Sequence, residues 1–136
     1  MNSPRYLLDA NIILRFITGD HPDHLRRAQA VFQAAAANEC RLLLTPWIIA
    51  EVVFTLQSFY QVPREETASH LLTVINSTGV ETLDHDMLAD GLNRFARTNI
   101  SFVDCLLAAQ SHALGIRPVS FDRDLDKFAD IKRYEP

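Results

Sequence analysis

The chain has 136 residues, of which 48% are hydrophobic and 22% charged, the composition of one folded domain rather than of a disordered or fibrous chain. Thirteen basic against 17 acidic residues give a formal charge of −4, which argues against holding nucleic acid or an anionic membrane through the net field. Cys40 and Cys105 lie far apart, which excludes a disulfide framework and a cysteine-based zinc site and suits a reducing cytosol.

The amino-terminal apolar stretch is broken at Asp9 and again at Arg15, too early for a signal-peptide core. No run approaches the ~20 apolar residues of a membrane span. A cytoplasmic protein is expected, with residues 1–136 forming a single domain. Tyr6–Leu8 reads as a short strand ending at Asp9, and Asn11–Ile17 as a short helix stopped by Gly19. Pro22 suits a first helical turn, and the apolar residues from Leu25 to Ala35 recur at helical spacing. Arg41–Leu44 is a strand. Thr45-Pro46 is an N-cap and first-turn proline for a helix to Ser58. Arg64–Asn76 is helical and Val80–Leu83 a strand. Asp84 caps a helix to Arg97, and Ser101 caps another to Leu114, closed by Gly115. Pro118–Phe121 and Ile131–Tyr134 read as strands around a helical turn at Asp124–Phe128. Strands alternating with helices predict an α/β fold with a mostly parallel sheet. Ligands of such sheets bind beyond the strands' carboxyl ends.

Four carboxylates occupy places that solvation does not explain. Asp9 follows Tyr-Leu-Leu at a strand's carboxyl end, where a capping role is the plain alternative. Glu51 has Trp47, Ile48 and Phe54 among its helical neighbours, so an ionised carboxylate there calls for a partner or a metal. Asp104 sits in ISFVDCLLAAQ; Ser101-x-x-Asp104 approximates a capping box, yet the helix is apolar almost all round and so expected to be buried. Asp122 comes directly off the Pro118–Phe121 strand, with Asp124 read as the cap of the next turn and Asp126 as a solvated charge. Asp124 and Asp126 stay open as alternatives for the fourth acid. Converging carboxylates need cations, and hard oxygen donors select Mg²⁺ or Mn²⁺ over zinc. Displacement at phosphorus is the chemistry such a cluster serves, with metal-activated water as the nucleophile.

Together LLDANIILRF, AEVVFTL, ISFVDCLLAA and SFDRDLDKF resemble the four acidic motifs of the PIN domain, and more narrowly the VapC-type toxin ribonucleases of toxin–antitoxin pairs. The resemblance covers nearly the whole chain. It implies a three-layer α/β/α sandwich and Mg²⁺- or Mn²⁺-dependent endonucleolytic cleavage of RNA. It makes Asp9, Glu51, Asp104 and Asp122 the acids around the metal. Asn11 matches the family's polar residue two positions after the first acid, and Ser120 stands where the family often has threonine. A homodimer and a small antitoxin that blocks the site are further implications.

The only lysines are Lys127 and Lys132, so the basic residues are almost all arginines, the better bidentate ligand for phosphate. Arg15, one turn after Asn11, is the candidate RNA phosphate contact. Arg26, Arg27, Arg94 and Arg97 read as surface charges. His21 and His24 read as the polar entrance to a helix, and His70 and His112 as lone helix residues. No aromatic–basic interleaving marks a single-strand platform. An aspartyl-nucleophile phosphatase is a weaker alternative, because its second aspartate is here Asn11 and both lysines come late. A non-catalytic interaction module is the other alternative, and the presence of all four acids argues against it.

Overall fold

Three short strands organise the first part of the chain. The computed structural model describes residues 3–136 and resolves the chain into two units, the first ending at Leu83 and the second starting at Asp84. In the first unit β1 (Arg5–Leu7), β2 (Arg41–Leu44) and β3 (Val80–Thr82) form a sheet in the order β1-β2-β3. Both pairings are parallel, with Arg5 opposite Arg41 and Leu43 opposite Glu81. The expected parallel α/β arrangement is therefore present. Central β2 alternates as a strand must, with Leu42 and Leu44 fully buried.

Four helices complete this unit: α1 (Ala10–Thr18), α2 (Pro22–Ala36), α3 (Pro46–Ser58) and α4 (Arg64–Ile75). Their apolar faces set the packing. Ile13 and Leu14 of α1, Ile49, Val52, Val53 and Leu56 of α3, and Leu71 of α4 form the core. Helix α1 packs on α2 and α3, and α3 on α4. Gly79 enters β3 with φ of +85°, and a Cβ there would fall on the carbonyl oxygen of Ala35 at the end of α2. Only glycine combines that backbone angle with so close an approach.

The second unit pairs α5 (His85–Arg97) with α6 (Phe102–Leu114), followed by a 3-10 turn (Arg123–Lys127). Phe95 meets Phe102 edge to face at 5.7 Å, and Gly91 admits the side chain of Leu106. Ser101 caps α6 by accepting the N–H of Asp104, and Gly115 ends it in the left-handed region, as the sequence predicts.

Two expectations are corrected here. Pro118–Phe121 and Ile131–Tyr134 do not form strands; they meet in one parallel bridge, Val119 to Tyr134. Pro118 has no N–H to give a ladder, and the Arg117 guanidinium occupies the carbonyls of Lys132 and Arg133. Arg94 is not a surface charge. It is 5% exposed, bonded to Asp90 and Asp130 and seated over the Phe128 ring.

Candidate active site

In a parallel sheet all strands end on one edge, and in the first unit that edge receives Asp9 and the start of α3. Asp9 follows β1 and is the residue preceding α1, with extended backbone. Its side chain is exposed and makes no capping hydrogen bond. The capping role that competes with a functional one is therefore not what this carboxylate performs. Asn11 lies exposed in the first turn of α1. Thr45, which joins β2 to α3, also makes no capping bond; its hydroxyl is buried without a hydrogen-bond partner among the described residues.

Glu51 stands in the second turn of α3, which packs against α1. Its setting differs from the apolar enclosure expected of it. Glu51 is exposed, and its neighbours Trp47 and Phe54 are 68% and 70% exposed. The buried side of α3 is the Ile49–Val52–Val53–Leu56 face, so the Trp47–Glu51–Phe54 stripe points outward. Periodicity within a helix marks which residues share a face; it does not say which of two apolar faces is covered.

In the second unit two of the candidate acids come together. Asp104 lies half-buried in the first turn of α6. Its carboxyl is pushed above the usual aspartate range, first by burial and then by the neighbouring Asp122 carboxylate, with the charge of Asp124 adding to the effect; Ser101 pulls the other way. The helix α6 is less buried than its composition suggests, since Val103 and Leu114 are exposed.

Asp122 reaches this position through its own loop. The Ser120 hydroxyl accepts the Asp122 N–H at 2.9 Å, and Asp122 Oδ1 accepts the Asp124 N–H at 2.9 Å. Asp122, not Asp124, is thus the cap of the 3-10 turn. Asp126 is not a free solvated charge: Arg133 grips it through Nε and Nη2 at 3.0 and 2.9 Å. Asp124 is paired with Lys127 at 3.3 Å. Among these three alternating acids Asp122 acts most strongly on Asp104.

The donor chemistry of the Asp104–Asp122 pair fits a hard divalent ion, because crowded carboxylate oxygens are what such an ion binds and neutralises. In neither unit do three His, Cys, Asp or Glu side chains come close enough to hold a metal ion among the described residues. A family model described as the PIN domain matches residues 6–131. The chain belongs to the PIN domain family. PIN domains are generally nucleases that act on RNA. No curated protein matches this PIN domain's sequence. No helix among its described residues is long and apolar enough to cross a membrane.

Arg15 of the PIN domain is half-buried and engaged. Its Nη1 donates to both oxygens of Asp20, at 3.0 and 3.1 Å. Asp20 also accepts the Tyr60 hydroxyl at 2.7 Å and the Thr18 hydroxyl at 2.8 Å. These bonds, Tyr60's first, lower the Asp20 carboxyl to about 2. The cluster ties the end of α1 to the segment after α3. Tyr60 carries no sequence signal for this role, because its partner lies 40 residues away. His112, read as lone, faces Asp130 at 3.3 Å.

Proposed function

We propose that this PIN domain is a divalent-cation-dependent endoribonuclease and that residues 1–136 form a single domain. The reading assigns Asp9, Glu51, Asp104 and Asp122 as the acids that gather Mg²⁺ or Mn²⁺. The observation that carries it is the Asp104–Asp122 pair, in which burial and a second carboxylate raise the proton affinity of Asp104. A bound cation supplies the Lewis acidity that phosphodiester hydrolysis requires. Ser120 holds the turn that presents Asp122, and Asn11 offers an uncharged donor and acceptor two residues from Asp9.

Within the same reading the chain is the toxin of a VapC-type toxin–antitoxin pair. It is cytoplasmic, dimerises with itself and is silenced by a small antitoxin. The exposed Trp47 and Phe54, flanking Glu51, support a protein partner at this face, because large apolar side chains grouped in solvent mark interaction sites. RNA cleavage is expected to stop in chelator and to return with Mg²⁺ or Mn²⁺. Cleavage that persists in chelator contradicts the cation-dependent mechanism.

A further inference from the structure

Helices α1 and α2 enclose a groove of about 270 Å³. Ile12, Ala28 and Val31 line it with apolar surface, while Arg15, His24 and Arg27 bring polar and cationic groups to it. Ala28, 1% exposed, keeps a small side chain where a larger one would fill the space. Asn11 closes the groove at the first turn of α1, two residues from Asp9.

We infer that this groove binds one nucleotide of the RNA next to the cleaved phosphate, the base lying on the apolar surface and the phosphate meeting Arg27. This rests on the ribonuclease reading above. The groove offers an aliphatic floor for the face of a base and a cation for the backbone, without the aromatic stacking of a single-strand platform. The size agrees: typical ligand pockets are about 300–1,000 Å³, so this one takes a single base and sugar rather than a larger ligand.

The charges select a phosphate over an apolar peptide. Arg15 is neutralised by Asp20 and serves as wall. Arg27 is 74% exposed and only loosely paired with Asp23, at 3.6 Å, while Arg26 holds the other oxygen of that carboxylate at 2.8 Å. A guanidinium so placed can leave its ion pair and take a phosphate bidentately. Arg26 does not line the groove, which makes it the control for a general change of field.

The test is binding in chelator, without turnover. Uridine 5′-monophosphate is titrated into ¹⁵N-labelled protein, and the salt dependence of binding to a short fluorescent oligo(U) RNA is measured by anisotropy. Amide shifts are expected at Ile12, Ala28 and Val31. Arg27→Ala is expected to flatten the slope of log K against log salt by about 0.7, the loss of one single-strand phosphate contact, and Arg26→Ala to leave it unchanged. Absence of groove shifts, or an Arg27→Ala slope equal to that of the unsubstituted protein, overturns the inference. A groove that responds only to an apolar peptide overturns it as well. Cleavage with and without Mg²⁺, measured separately, reports on the ribonuclease reading alone.

Discussion

Asp104 concentrates the chemistry of the second unit at one residue. Replacing its carboxyl by a neutral amide removes the repulsion from Asp122 and Asp124 while leaving Ser101 to cap α6 through the backbone N–H. Asp104→Asn is therefore expected to abolish cleavage and, without metal, to melt at the same temperature as the unsubstituted protein or higher. Mg²⁺ at a hundred times its Kd stabilises a protein by about 2.7 kcal/mol; the unsubstituted protein gains that in a thermal melt and the variant does not. A metal-free variant that melts far lower identifies Asp104 as a structural cap instead. Asp20 shows the opposite shift. Its folded value of about 2 lies below the ordinary 3.8, so its stabilising effect is complete above 3.8 and is lost as pH falls through 3.8 toward 2. Since the Tyr60 hydroxyl is the largest cause, Tyr60→Phe is expected to return the carboxyl toward 3.8 in a ¹³C NMR titration. An unchanged titration would place the cause elsewhere. At this scale the sequence exposed Asp9, Asp104 and Asp122, because each breaks an apolar run where a strand or helix begins or ends. It hid the partners of Tyr60 and Arg133 and the Arg94–Asp130 pair, which the tertiary fold fixes; only Asp90 lies at helical spacing from Arg94.

The regular elements were legible wherever a local rule sets them. Gly19 and Gly115 end helices in the left-handed region, Pro22 and Pro46 open them, and Ser101 caps one. Legibility fails where two elements compete for the same groups. The Pro118–Phe121 and Ile131–Tyr134 segments have strand composition, yet Arg117 occupies carbonyls that a ladder would need. The covered faces of α3 and α6 escape the sequence for a related reason. Both are apolar on more than one face, and composition does not say which face a neighbour covers. Gly79 is the position at which one element depends most sharply on another. Gly79→Ala sets a Cβ against the Ala35 carbonyl at an unfavourable backbone angle. A loss on the order of 3 kcal/mol is expected in urea unfolding, and a loss below about 1 kcal/mol would show that α2 yields easily. Glu81 acts just as locally, drawing Arg5 and Arg41, opposed across β1 and β2, onto one carboxylate.

The whole chain carries an excess of four acids over bases, the same number as the candidate metal ligands. Under the proposed function two divalent ions would cancel that excess, and the affinity for phosphate would arrive with the metal. A mildly acidic chain is in this way compatible with an RNA substrate. The PIN family match spans residues 6–131, and the central claim is that the Asp104–Asp122 carboxylates bind a divalent cation. Paramagnetic broadening by substoichiometric Mn²⁺ tests this most directly. Amides beside Asp104 and Asp122 are expected to broaden in the unsubstituted protein, and to stay sharp in Asp104→Asn. Amides beside Asp104 and Asp122 that stay sharp in the unsubstituted protein would contradict a cation at this pair.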